Sequence, residues 1–391
     1  MSIQVENIVD DGEGRLMFNI RGVETCVVNS LRRTCLTNIN CLVFKGFPHN
    51  ESSINIIKNT TNFNNEYLKH RISCIPIMND NDSEYQQFKE NYKILIDVKN
   101  KKGNQEKVYV TTGDIVLVNK HSQEKINSDL TQNLFPVDPI SGDYILLCVL
   151  YPNYNISEDE VEELVLEAEF DIGCAQENSC WNVVHNCTYE FLRNEAEITK
   201  VMNTIDDKSE KEDFKNLDAQ RIYFKNEYKM TVESLGIFTN REIMIKSCQY
   251  IINKLRLIIQ YTKDNELAAI QTKDEYISSA NDGTRSNEEL AEEQEMYCKI
   301  YTEEEFFVFE LKEDDYTIGK LIEIYLYNMY NTELDFVGFK KNHPSQPSVH
   351  IYIHYKTVQK NKQIIFYYIR DVANYLVETI FQNIQSSFIS N

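Results

Sequence analysis

The stretch Leu16–Leu36, LMFNIRGVETCVVNSLRRTCL, changes period in its middle. Over Leu16–Ile20 apolar and polar residues alternate, as in a strand with one buried face. Further on, Val27, Val28, Leu31 and Cys35 fall at i, i+1, i+4 and i+8, one face of a helix. Thr25 is placed to cap it. Arg32 and Arg33 emerge beside the apolar stripe. An arginine there has two uses. It can lay its stem on apolar surface with the head in water, or it can make a bidentate contact to a carboxylate or carbonyl across an interface.

The same order recurs at the other end of the chain. Phe306–Leu311 reads as a strand, and Ile318, Leu321, Ile322, Tyr325 and Met329 form a helical stripe. Phe336–Lys340 and Val349–Tyr355 read as strands; Ile365, Ile369, Val372, Leu376 and Ile380 form a closing helix. The first half closes in the same way. After the strand Tyr228–Val232 a long helix carries Met244, Cys248, Ile251, Ile252, Leu255, Ile258 and Ile259 on one stripe. Ile243, Ile245, Tyr250 and Leu257 widen it, as for a helix packed on two sides. Two units, each with an apolar helix pair, would bury those helices against each other. The expected fold is therefore α+β, with two dimerisation units forming an intramolecular pseudo-dimer. Its expected packing residues are Val28, Cys35, Ile251, Leu255, Ile258, Ile318, Gly319, Leu321, Ile322, Ile369, Val372 and Leu376.

Between the two patterns, residues 42–190 read as strands and loops, a β-rich insert. Tyr92–Val98, Lys107–Thr112 and Tyr144–Tyr151 are β-rich. In Leu164–Asp171, Leu164, Leu166, Ala168 and Phe170 face one way and Val165, Glu167 and Glu169 the other. The acidic run Glu158–Glu163 reads as a solvated turn, and 191–218 as surface helix or loop. The segment 271–300 has the low hydrophobicity and acidic excess of a linker. The expected division is 1–42 with 219–268, an insert over 43–218, a linker over 269–300 and a second unit over 301–391.

Composition narrows the functions available. A chain of 391 residues suggests two or three domains. With 61 acidic against 40 basic residues the net charge is −21, so the chain repels phosphates on average. Lys99, Lys101, Lys102 and Lys107 make only a short basic patch. Glycine is scarce, at 12 residues, and no phosphate-cradling glycine loop or HExxH helix is present. The first residues lack the basic and apolar regions of a signal peptide, and apolar runs such as Ile145–Leu150 are too short to span a bilayer. The ten cysteines are then expected as free thiols in a reducing compartment.

Two chemical readings compete for the cysteines. Ser179-Cys180-Trp181 echoes the segment around a papain-type nucleophile, with His185, His343, His350 or His354 as a base. That makes a stand-alone cysteine hydrolase the alternative function. Cys174, Cys180, His185 and Cys187 are potential zinc ligands, but their spacings depart from closed zinc sites.

Other residues carry a resemblance. Asn29-Ser30-Leu31-Arg32-Arg33 resembles the N-(S/A)-L-R-R helix of the α-like subunits of cellular RNA polymerases. Asn59–Pro76, NTTNFNNEYLKHRISCIP, is similar to a segment of the third subunit of RNA polymerase II, with Glu66, His70, Arg71, Ile75 and Pro76 matching directly. Ile172-Gly173 with Trp181-Asn182 and Val184, and Val232–Gly236, resemble further segments of it. Glu313–Leu321, EDDYTIGKL, resembles E-D-H-T-L-G-N-L of the eleventh subunit, and Phe336–Lys340 with His343-Pro344 resembles its F-A-G-Y-K-V-P-H-P.

The resemblance implies a natural fusion of third and eleventh subunits, as associated with large cytoplasmic DNA viruses. It implies an α-subunit-type dimerisation fold twice over and a non-catalytic platform for the largest and second-largest subunits. Small zinc-binding subunits are implied as further partners, with DNA and RNA met only through the complex, and no membrane. Asn29, Ser30, Leu31, Arg32, Arg33, Glu66, His70, Arg71 and Trp181 become the expected subunit interface. No catalytic residue, cofactor or metal is expected. The family's four-cysteine zinc loop has no counterpart, since only Cys74 and Cys148 fall in that region. The implied location is host cytoplasm and virion, or the nucleus for a cellular source.

Overall fold

In the computed structural model, residues 3–11, 14–101, 105–152, 161–275, 297–356 and 362–389 are described. The chain is a mixed α+β protein with several sheets and divides into two compact units. Unit 1 takes Met1–Cys35, Asn186–Glu233 and Asn240–Asn391; unit 2 takes Leu36–His185 and Ser234–Thr239.

Unit 1 holds two four-stranded sheets. The first has the order Gln4–Asp10, Arg15–Arg21, Tyr223–Ser234, Val184–Arg193. Leu16 lies opposite Val232, Phe18 opposite Met230 and Ile20 opposite Tyr228, and all six are buried. The alternation in Leu16–Ile20 thus builds one apolar face with its neighbour strand. The helix Thr25–Thr37 follows at once. Tyr228 reaches it through a 2.8 Å hydroxyl–hydroxyl bond with Thr25. Because Val184–Arg193 is the fourth strand of this sheet, 186–218 groups with unit 1 rather than with the insert. That stretch carries two further helices, Glu195–Thr204 and Lys208–Asn216.

The second sheet has the order Cys298–Glu303, Phe306–Lys312, Ser348–Tyr355, Leu334–Lys340. The helix Tyr316–Tyr330 crosses it, capped by Asp315, whose carboxylate accepts from Thr317 N at 2.9 Å. Met329, at the tail of its stripe, is exposed. The closing helix runs Lys362–Tyr375, passes through a π-helical turn at Leu376–Phe381 and continues as Gln382–Ile389. The wider turn shifts the apolar face: Ile365, Ile369 and Val372 are buried before it, and Leu376, Val377, Ile380, Phe381, Ile384 and Phe388 from it onward.

The long helix Asn240–Glu275 packs along these closing helices. Ile243, Met244, Cys248, Ile251, Ile252, Leu255 and Ile258 are buried, while Leu257 is exposed, so the face is narrower than the sequence suggests. The helix also outruns the expected boundary at 268. Most of the expected linker lies outside the described residues.

Unit 2 is built on a four-stranded sheet of order Ile54–Asn59, Glu163–Glu169, Tyr92–Lys99, Val116–Asn119. Leu164, Leu166, Ala168 and Phe170 are all buried, and Phe44, Phe88, Phe135 and Phe170 form an aromatic core beneath them. Two features depart from the sequence reading. Glu163 is no solvated turn residue: it opens a strand, is buried, and lies between Lys58 and Lys99. Hydrogen bonds from those two lysines hold its carboxyl below the usual carboxylate range. The region read as strands and loops also contains the helices Asn65–Ser73, Asp82–Asn91 and Ser128–Leu134. Each starts behind an asparagine cap, Asn64, Asn81 or Asn127.

Candidate functional site

The motif Asn29–Arg33 spans more than a full turn of its helix, so its side chains cannot all face one way. Ser30 and Leu31 point inward and are buried. Ser30 Oγ donates to the carbonyl of Thr317 at 3.0 Å. These two are seam residues within unit 1, not the partner-facing contacts that the resemblance implies.

Arg33 is engaged at the same seam. Its guanidinium pairs with the Asp315 carboxylate, and Nε donates to Thr317 Oγ1 at 3.2 Å. Its charge also sits 5.9 Å from the ring centre of Tyr316. Asp315 thereby faces a cation on one side and its own helix N-terminus on the other, both of which favour the anion. Burial opposes ionisation, but the Thr317 backbone and hydroxyl donors and the Arg33 charge hold the carboxyl below its ordinary range. Arg32 is different. Its Nε donates to Asn29 Oδ1 at 3.1 Å, and both residues are part-exposed. Of the five motif residues, Arg32 and Asn29 are the ones the fold presents outward.

A second polar cluster lies along the same seam. The Tyr297 hydroxyl donates to Asp314 Oδ2 at 2.5 Å, and Asp315 N donates to Asp314 Oδ1 at 2.7 Å. Lys254, from the long helix, sits 4.6 Å from the Tyr297 ring centre. Burial pushes the Asp314 carboxyl up to about 6, against the opposing pull of the Tyr297 hydroxyl. Farther along, Phe18 and Phe388 meet edge to face at 4.9 Å, and Gln385 Nε2 donates to the carbonyl of Ile245 at 3.3 Å. The packing residues Val28, Cys35, Ile251, Leu255, Ile258, Ile318, Gly319, Leu321, Ile322, Ile369, Val372 and Leu376 are all buried in this unit. Gly319 marks the tightest approach: a Cβ there would lie 2.4 Å from Phe339 Cε2.

The remaining interface candidates lie in unit 2. On the helix Asn65–Ser73, Glu66 and His70 are exposed. Arg71 lies across the Tyr67 ring at 5.8 Å and donates to the carbonyl of Leu146 at 2.6 Å. Trp181 is buried, with Nε1 donating to the carbonyl of Ser73 at 3.1 Å and its ring against Gly173. It is therefore a core residue rather than a partner contact; its indole closes the fold around the end of that helix.

The cysteine readings lose their geometry. Cys180 contacts Cys74 and the Ser73 carbonyl, and burial pushes its thiol up to about 11. An activated nucleophile needs the opposite shift. Cys187 lies instead against Cys35, which also touches Ser247 Oγ at 3.1 Å. Among the described residues no three His, Cys, Asp or Glu side chains are placed to hold a metal ion, and no helix is long and apolar enough to cross a membrane. Two lysines of the short basic patch are engaged, Lys99 with Glu163 and Lys107 over the Tyr151 ring, while Lys102 lies outside the described residues.

No protein-family model matches the chain. Over 201 residues it is 25% identical to the DNA-directed RNA polymerase subunit Rpo3 of Methanosphaera stadtmanae. That match takes in 49% of this chain and 61% of the relative, so the chain spans less than two thirds of the length of the protein it matches. The likeness is weak, and it supports kinship with an α-like RNA polymerase subunit.

Proposed function

We propose that this chain is a non-catalytic assembly subunit of a DNA-dependent RNA polymerase. Its two halves form an intramolecular pseudo-dimer of α-type units, the first interrupted by the insert. The observation that carries the reading is the seam at Ser30, Arg33, Asp315 and Thr317. There the N-S-L-R-R helix of one half docks on the capped helix start of the other. The kinship with Rpo3 supports the same reading.

In this proposal the pseudo-dimer is the platform on which the largest and second-largest subunits assemble. Arg32 and Asn29 face the second-largest subunit, while Arg33 holds the platform together. Glu66 and His70 offer a second contact from the insert, open to small zinc-binding subunits. The fused arrangement and a linker between the halves fit a chain of a large cytoplasmic DNA virus, working in the host cytoplasm and virion.

The test is purification of the tagged chain from its native cell or infection under mild salt, with mass spectrometry of what accompanies it. Two much larger chains in equal amount, together with RNA-synthesising activity, are expected. A chain that comes out alone overturns the proposal.

A further inference from the structure

We propose that Cys74 and Cys180 form a reversible dithiol–disulfide site that staples the helix Asn65–Ser73 to the turn Ser179–Trp181. Two hydrogen bonds place the segments side by side. Trp181 Nε1 donates to the Ser73 carbonyl at 3.1 Å, and Cys180 Sγ approaches the same oxygen at 3.7 Å. The residue after Ser73 is Cys74, and its thiol meets that of Cys180. Cys74 is exposed and Cys180 part-exposed, so a small oxidant reaches the pair. All eight other thiols are buried, out of its reach.

The two sulfurs differ in a way that assigns roles. His70 Nε2 stands 3.9 Å from Cys74 Sγ, one helical turn away, where it can take the thiol proton. Burial raises the Cys180 thiol to about 11. With hydrogen peroxide as oxidant, the Cys74 thiolate attacks the O–O bond. The product is a sulfenic acid, and the departing hydroxide takes the proton from His70 and leaves as water. The Cys180 thiol then attacks the sulfenic sulfur, the S–S bond forms and a second water leaves. Two thiols are oxidised and one peroxide is reduced to two waters; a dithiol reductant reverses the bridge by exchange.

The test is brief peroxide treatment of the reduced full-length chain, followed by peptide mapping without reduction. The expected product is a Cys74–Cys180-linked peptide pair with the loss of two hydrogens, restored by dithiothreitol. Trp181 is the chain's one tryptophan, and its fluorescence falls as the neighbouring disulfide forms. In Cys180→Ser the reaction stops at a Cys74 sulfenic acid that dimedone traps. In His70→Gln bridging slows by roughly tenfold or more, with the same end product. Both substitutions lie at accessible positions, and an unchanged melting temperature confirms that the variants are folded. Sulfinic acid accumulating at Cys74 while Cys180 stays reduced in the unmodified sequence overturns the proposal. Bridges that form only between chains overturn it as well.

Discussion

At the scale of single residues, the seam turns on charge placed at a helix start. Arg33 and Asp315 are both about one third exposed, so solvent screens their attraction. Arg33→Ala is expected to destabilise unit 1 by about 1 kcal/mol, since it also strips a donor from Thr317. Asp315→Ala adds the loss of a helix cap, about 1 kcal/mol. A double-mutant cycle followed by chemical denaturation should return a coupling of roughly 0.5–1 kcal/mol for the pair. Zero coupling would mean that the ion pair does not hold the seam. Asp314, its neighbour, works in the opposite direction. Its carboxyl titrates near 3.8 when unfolded and at about 6 when folded. The folded state thus holds the proton more tightly, and stability falls as pH rises through that window. Asp314→Asn keeps an acceptor for Tyr297 and removes the titration. Relative to the variant, the unmodified chain should lose on the order of 2 kcal/mol between pH 4 and pH 7. Parallel pH–stability curves for the two proteins would refute this.

At the scale of elements, the period of the apolar residues told strands from helices wherever one face was buried. Leu16–Ile20, Leu164–Phe170 and the stripe from Met244 were legible because each buries one side only. The helices Asn65–Ser73, Asp82–Asn91 and Ser128–Leu134 were not. Each buries only two or three residues, too few to set a period. Their signal was the asparagine caps at Asn64, Asn81 and Asn127, which read equally well as turn residues. The π-helical turn at Leu376–Phe381 was invisible for another reason: the apolar stripe crosses it without a gap. The helix Tyr316–Tyr330 gives the sharpest test at this scale. Gly319 lets Phe339 from the edge strand press onto the helix, and Lys320 and Tyr316 flank the same ring. Gly319→Val drives two methyls into that space and is expected to cost about 1–3 kcal/mol. The variant should melt lower, and Phe339→Ala in the same background should recover part of the loss. Unchanged melting of Gly319→Val would show that the ring swings away freely.

At the scale of the whole molecule, the motif residues were found by sequence but their division of labour was not. A one-dimensional string gives Asn29–Arg33 as a block; the helix turns Ser30 and Leu31 inward, leaves Arg32 outside and sends Arg33 to the other half of the chain. Trp181 was legible as important, but spacing does not reveal that its indole is fastened to Ser73. The seam also makes a claim about the chain as a covalent object. The long helix of the first half packs along the closing helices of the second, and both bury apolar side chains, among them Ile251, Leu255, Ile258, Ile369, Val372 and Leu376. Separated, each half would expose a broad apolar face and aggregate. Joined, the connection between them raises the effective concentration of each for the other. Residues 1–275 and 297–391, produced together as two chains, are therefore expected to co-purify in equal amounts. Their complex should dissociate on dilution where the single chain does not, while either piece produced alone should be insoluble or self-associated. If both pieces were soluble monomers that ignored each other in sedimentation, the apolar seam would not be what unites unit 1, and the proposed platform would lose its foundation.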